Sequence, residues 1–568
     1  MAAGHSPRVW GLVAREAWRR VRRRLRTGPL YRWRFSGRTP ERVLIAPPDL
    51  RLADPQIAIE IYHGRFPLGG RMVETGGESP FIAAEASLAW KHSLHGFRWL
   101  RHMREASNDL AAANARALVS DWIDSHGTRL EGVAWEPAVT ARRIIAWLQH
   151  STIVLQGAEF PFYRAFLRSL ATQIRYLRVM VRDMPEGEEK LRARIAIAFS
   201  ALSLPAPASA LRNATRSLAV ELDRQILPDG GHVSRNPMAV LELLADLLPL
   251  RQTYANQAEA PPAALLGAID RMLPALRFFR HQDGSLARFN GMGATIPDRI
   301  AAILRHDDTA GQPLLHAPHS GYERLSVGDT TVIADTGATR DPDASIDAHA
   351  GCLSFELSSG RRCLIVNAGV DPHGPADFRP LARATAAHST AIINDTSSCR
   401  FAHSPRLRRL IDSRILSGPL NVHSRRTDDR GTQGFVASHD GYVGTFGIVH
   451  ERALVLSADG ANLEGTDRFL DASGKPLGPD NRDRAAIRFH LHPDVDLLWD
   501  EAGRLVVSTR EAEAWVFSCD GLQPTVEESI FFAGISGPRR NLQIVLGFSL
   551  SETAAVSWRF VRASSEPG

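Results

Sequence analysis

The sequence predicts a multidomain α+β protein: a helical N-terminal part followed by an antiparallel β-sandwich. Three observations carry this. At 568 residues the chain exceeds what one ordinary hydrophobic core organises. From about residue 80 to 280, apolar residues recur at helical spacing. After about Gly321 they fall in short β-rich runs with no helical pattern between them. The chain therefore divides into an arginine-rich arm (1–45), a helical domain (46–315) and a sandwich domain (316–568).

Residues 1–40 hold eleven Arg against one acid, Glu16, a local balance of +10; with the whole chain at +6, the remainder stands near −4. Trp18, Val21 and Leu25 have helical spacing within Arg15–Arg34, which also contains Leu30, Arg32 and Trp33. Residues 15–34 read either as a basic amphipathic helix, able to lie on an anionic membrane surface or touch nucleic acid, or as a solvated arm packed on the body. Because the body is slightly acidic, nucleic acid is not expected as a partner.

In the helical domain, Trp90, Leu94, Phe97 and Leu100 share a face, and Leu110, Leu118 and Trp122 follow. Further helices are expected over Pro161–Arg182, Glu188–Leu204, Ala208–Ile226, Met238–Pro249 and Pro262–Phe279. A helix and loop every two dozen residues suits antiparallel helical hairpins. In the sandwich, strands are expected at Thr330–Ala334, Cys352–Leu357, Arg362–Val366, Thr390–Ile393, Leu454–Leu456, Ala486–His492, Arg504–Thr509, Trp515–Ser518, Ile544–Phe548 and Val556–Phe560. Ser359–Gly360 and Ala502–Gly503 mark hairpin turns.

Composition excludes several classes. With 44% hydrophobic and 23% charged residues the chain is globular. No run approaches the ~18 apolar residues of a membrane span. Cys352, Cys363, Cys399 and Cys519 form neither a CxxC pair nor a disulfide scaffold. Val9–Val13 is too short for a secretory signal, so a cytoplasmic setting, peripheral to a membrane through the arm, is expected. Gly291-Met-Gly293 follows no strand and is not a dinucleotide fingerprint.

Several segments together resemble the heparinase II/III family of polysaccharide lyases: Leu227-Pro-Asp-Gly-Gly-His-Val-Ser-Arg-Asn-Pro237, Phe279–Gly291 with Arg288-Phe-Asn-Gly291, Asp347-Ala-His-Ala-Gly-Cys352, Arg383-Ala-Thr-Ala-Ala-His-Ser-Thr390 and His450-Glu-Arg452. The resemblance covers most of residues 50–565. It implies an incomplete (α/α) toroid joined to an antiparallel sandwich, and β-elimination at a uronic acid. That reaction needs a donor facing the carboxylate and groups that move protons at C5 and the leaving oxygen.

Carried over by this resemblance, His232, Asn236, His349 and His388 are the candidate catalytic residues, with Arg235, Tyr254 and Asn290 as substrate contacts. Asn236 suits a carboxylate neutraliser, since its amide donates without a proton to lose. It equally suits an N-cap before Pro237 at N1. Some members hold a structural zinc through two such histidines and an Asp; the third position here is Asn367, a poor ligand. Asp347 stands where some members place a histidine. The family's tyrosine has no counterpart at Phe289–Asn290, leaving Tyr254, Tyr322 and Tyr442 as alternatives. His281 and Asp283 read as a turn, and His490 and His492 as a solvated strand face.

The expected function is that of a carbon–oxygen lyase cleaving an acidic, uronate-containing glycan, with no cofactor required. The rival is a non-catalytic glycan-binding or envelope-associated protein that retains the fold.

Overall fold

The structure, a computed structural model, describes residues 7–83, 86–307, 311–338, 341–402, 404–509 and 514–563. The fold class is the predicted one: helices first, then antiparallel sheets. Two compact units are present. The first takes Met1–Ile226 and Glu242–Asp270; the second takes Leu227–Leu241 and everything from Arg271. This division differs from a cut at residue 315, because the loop Leu227–Asn236 and the helices following it belong partly or wholly with the sandwich.

In the first unit, helices Leu88–Gly96, Asp109–His126, Pro137–Gln149, Phe160–Met180, Glu188–Ser203 and Ala208–Gln225 succeed one another. Their starts follow capping chemistry: Ser87 and Asn108 accept from the backbone N–H groups of Trp90 and Ala111. Glu188–Ser203 is almost wholly buried, although its first two turns carry charged residues. Its Arg192 is paired with Glu188, Glu189 and Asp246. Pro249 and Pro274 sit inside the helices Pro237–Asn256 and Ala263–Phe278 rather than ending them.

The arm forms a helix over Pro7–Thr27, longer at its start than expected and ended at Gly28-Pro29, followed by a 3-10 turn over Pro29–Phe35. Val9 and Leu12 are buried, Arg22 and Arg26 pair with Asp183, and Arg23 donates to the Trp135 carbonyl. The opposite face carries exposed Trp10, Trp18, Val21 and Leu25. Residues 1–6 and the side chains of Leu30 and Arg32 lie outside the described residues.

Among the described residues the second unit contains a small two-stranded antiparallel sheet over 400–401 and 415–417 and two large antiparallel sheets. One has eight strands in the order 422–426, 433–442, 448–456, 462–471, 555–562, 514–519, 505–509, 495–499. The other has nine, with 525–531, 539–549, 484–491, 362–366, 355–359, 330–335, 322–327 and 316–317 in line and 391–393 pairing with 484–491. Side chains from both sheets form one core; Phe355 stacks on Trp558 at 5.5 Å and Phe489 meets its edge at 4.7 Å. Ile448–Leu456 alternates buried and half-buried residues, whereas Thr330–Asp335 is buried throughout. All four cysteines are free thiols.

Candidate functional site

Six of the eight residues singled out from sequence as site or metal positions meet in a buried polar cluster of the second unit or in its immediate supports. The loop Leu227–Asn236 is pinned by Asp229, whose carboxylate accepts from the N–H groups of His319 (2.8 Å) and Ser320 (2.7 Å). Arg235, at φ +61°, then turns its guanidinium inward. Its Nε donates to the Ser320 carbonyl (2.7 Å), Nη1 to Gly337 (2.7 Å), and Nη2 to Gly321 (2.9 Å) and the Asp335 carboxylate. Four of about five N–H groups are thereby engaged, and the group lies over the Tyr322 ring at 4.8 Å. Burial lowers its pKa, but Asp335 more than offsets this, so the cation is held firmly charged. Arg235 is thus a fastener between loop and sheet, with little left for a substrate carboxylate.

Asn290, at φ +46°, is the hub. Its Nδ2 donates to the Tyr322 hydroxyl (2.7 Å) and Asp335 (3.1 Å), and its Oδ1 accepts from the His349 backbone N–H (3.0 Å). Tyr322 in turn donates to the Arg235 carbonyl (2.5 Å), and burial pushes its phenol up. Asn236 is a helix cap: its Oδ1 accepts from the Met238 N–H at 2.9 Å. Its Nδ2 lies over Gly291, where an added Cβ would sit 3.2 Å from it and 2.6 Å from the Asp347 Cβ. With φ +88°, Gly291 tolerates no side chain there.

His349 and His388 form a closed relay. His388 Nδ1 donates to the Ala384 carbonyl (2.7 Å), which leaves its Nε2 as the acceptor for His349 Nδ1–H (3.0 Å). His349 Nε2 then accepts the Gly291 N–H (3.1 Å). Both rings are neutral: burial pushes His388 down to about 4 and His349 well below its ordinary value. Every ring nitrogen of the pair is occupied. Burial of His232 is equally complete, with Nδ1 facing the hydroxyl (2.7 Å) and N–H (3.1 Å) of Ser234.

These contacts do not suit zinc. A metal would need the lone pairs that Gly291 and His349 already fill, and Asn367 uses its Oδ1 to accept from the Ser389 N–H (3.1 Å). No group of three or more His, Cys, Asp or Glu capable of holding a metal occurs among the described residues. Asp347 pairs with Arg379 at 3.0 Å.

Other expectations require correction. Tyr254 belongs to the first unit, where its hydroxyl pairs with Thr215 at 2.7 Å. Tyr442 is a core residue donating to the Ala391 carbonyl. His490 is not solvated: it is buried between Ser529 and the Ala386 carbonyl, because its strand lies inside the sheet. The His281 turn exists, but the imidazole itself is buried against Glu356 (3.0 Å) and Ser358 (2.9 Å). Asp335 and Glu356 are not among the residues the sequence motifs point to; an acid in an otherwise uncharged central strand is the signal that marks both. A further buried acid, Asp467, receives Arg452, His450 and Trp558 in the sandwich core.

Residues 309–559 match the family described as Heparinase II/III-like, C-terminal. Over its whole length the chain is similar to FtsZ-localized protein C of Caulobacter vibrioides (strain NA1000 / CB15N), at 31% identity over 572 positions, spanning 99% of this chain and 95% of that protein. The chain belongs to the heparinase II/III-like family. Its fold is similar to the crystal structure of heparinase III (TM-score 0.70, 14% identity, 94% of this chain and 88% of that one). A heparan sulfate lyase HepC mutant from Pedobacter heparinus gives TM-score 0.62 at 13% identity, over 99% and 90% of the two chains. At these identities the structural likeness is one of fold. Within this heparinase II/III-like chain, the matched histidines form a sealed relay.

Proposed function

We propose that this heparinase II/III-like chain is a non-lytic, membrane-associated adaptor that keeps the fold without the elimination chemistry. One observation carries the reading: all four ring nitrogens of His349 and His388 are occupied in a buried, neutral pair. β-Elimination requires a lone pair that reaches C5 of the sugar. Here the lone pairs are taken by Gly291 and by the partner ring, and the Tyr322 hydroxyl is locked between Asn290 and the Arg235 carbonyl.

The arm supplies the association. Trp10 (63% exposed), Trp18 (57%), Val21 and Leu25 follow a helical stripe, with Arg20 and Arg24 exposed beside it. An apolar stripe edged by cations suits the interface of an anionic leaflet, where each Arg contributes about 1 kcal/mol of attraction. Anionic cytoplasmic leaflets fit this chemistry, which favours a cytoplasmic, peripheral location. The name of the relative from Caulobacter vibrioides favours FtsZ as the protein that such an adaptor accompanies.

The test uses the full chain. It should sediment with anionic vesicles in a salt-sensitive way, lose this on Trp18→Glu, and co-sediment with FtsZ polymers. It should release no unsaturated product from a panel of uronate polymers. Lytic action on an acidic glycan is the second reading, favoured by the convergence of Asn236, Gly291 and His349 in one cluster. Product formation that disappears on His349→Ala would replace the first reading with it.

A further inference from the structure

The first unit carries a basic pocket outside everything described above. Helix Phe160–Met180 and the turn after it contain Arg164, Arg168, Arg175, Arg178 and Arg182, and no acid before Asp183. At about 3.6 residues per turn, steps of four, seven and three place the first four on one stripe. Like charges at such spacing repel, so the chain tolerates a local cost there. Arg175 is engaged by the carbonyls of Phe35 and Arg38. Arg178 and Arg182 instead border a pocket of about 400 Å³ completed by Arg194, Ser209, Asn213 and Ser217.

No carboxylate lines this pocket. Asp183 is committed to Arg22 and Arg26. Glu221 is 4.0 Å from Arg194 but accepts from Gln225 (2.7 Å) and faces Lys190 (3.6 Å). Arg178 and Arg182 have no ion pair among the described residues, and the buried Nε of Arg194 makes no hydrogen bond. Three guanidinium groups, two hydroxyls and an amide therefore surround a space that no carboxylate lines, and among the described residues only Arg194 has an acid, Glu221, at ion-pair distance.

We propose that this pocket binds a phosphate group, carried either by a phosphomonoester lipid headgroup or free in solution. A phosphate carries nearly two charges and at least three acceptor oxygens, enough to meet several guanidinium forks at once, whereas one carboxylate satisfies a single fork. Serine and asparagine donors suit its remaining oxygens. The pocket adjoins the segment that anchors the arm: Arg26 donates to the Val179 carbonyl (3.4 Å), one residue from Arg178. The lipid source rests on the membrane reading above; the phosphate site itself does not.

Calorimetric titration of the full chain with inorganic phosphate, against sodium chloride of equal ionic strength, tests the site. Wild type should bind, and Arg178→Ala/Arg182→Ala should bind at least about tenfold more weakly, each lost charge-assisted contact counting for roughly that factor. Equal melting temperatures of the two proteins without phosphate show that the variant is folded; Arg194→Gln gives a second variant with the same expectation. No phosphate binding by wild type, or equal affinity in the variants, overturns the proposal whatever vesicles do. Vesicles of phosphatidylcholine with phosphatidic acid, or with phosphatidylserine at matched surface charge, identify the source. Loss of retention by the double variant on phosphatidic acid alone assigns a lipid headgroup, and retention equal to wild type on both assigns free phosphate. Failure of wild type to sediment on either refutes the membrane reading and leaves the phosphate result standing.

Discussion

Replacing Arg235 separates a fastener from a substrate contact. In Arg235→Ala, the carbonyls of Ser320, Gly321 and Gly337 lose the guanidinium, Gly321 keeping the Thr336 N–H, and among the described residues the Asp335 carboxylate stays buried with Asn290 and the Gly337 N–H. Removing one partner of a buried ion pair costs about 3–5 kcal/mol. In a domain of this size each kcal/mol moves the melting temperature by roughly 2 °C, so the second unit should melt about 6–10 °C lower. Adding Asp335→Asn removes the stranded charge and should recover part of that loss, while Asp335→Asn alone is also destabilising. Differential scanning calorimetry on the wild type, both single variants and the double variant gives the coupling directly. If Arg235→Ala melts within about 1 °C of wild type and loses only ligand binding, the assignment of Arg235 as a structural pin is wrong.

Three further outcomes are expected. His388 and His490, buried as neutral rings, are pushed down to about 4 and about 3; the unfolded chain therefore binds protons first, and stability, complete above pH 6.5, should fall by roughly 1.4 kcal/mol per pH unit for each ring between there and those values. Denaturant melts across pH 4–8 check this, and a flat profile refutes it. Asn236→Ala should cost about 1 kcal/mol as a lost N-cap, whereas a large change in vesicle or glycan binding at unchanged stability would show a direct role. Chelation with EDTA should leave the melting temperature unchanged, since the His349 lone pair is held by Gly291; a drop would reveal a metal.

The helices were legible because apolar periodicity and capping residues agree, as at Ser87 and Asn108. Central strands such as Thr330–Asp335 and Arg362–Val366 announced themselves as apolar, β-branched runs. Strands with one half-exposed face did not. Gln433–Tyr442 and Asn462–Asp471 interleave their buried residues with Gln, Ser, Asp, Glu and Arg, and read locally as loop. Family motifs located the cluster residue by residue, but motif positions say nothing about which lone pairs are free. The closure of His349 by Gly291, and the partnership of Arg235 with Asp335 a hundred positions away, arise only from the folded chain. The helix Pro237–Asn256 starts in the second unit and continues in the first, which is where Tyr254 lies, and no local pattern in the sequence marks that division.

That crossing has a practical consequence for dissecting the protein. The family boundary at residue 309 suggests a sandwich that can be expressed by itself. Such a fragment would lack Leu227–Leu241 and Arg271–Ala287, and with them every donor that Arg235 sends to Ser320, Gly321, Gly337 and Asp335. Asp335 would be stranded as a buried anion, Glu356 would lose His281, and the Arg324 guanidinium would lose the Phe278 and Arg280 carbonyls. The sandwich is therefore finished by chain that precedes it. Insoluble fragments cut near residue 309 would report this missing lining, not an unstable sheet, and functional mapping by deletion is better replaced by point substitution in the intact chain.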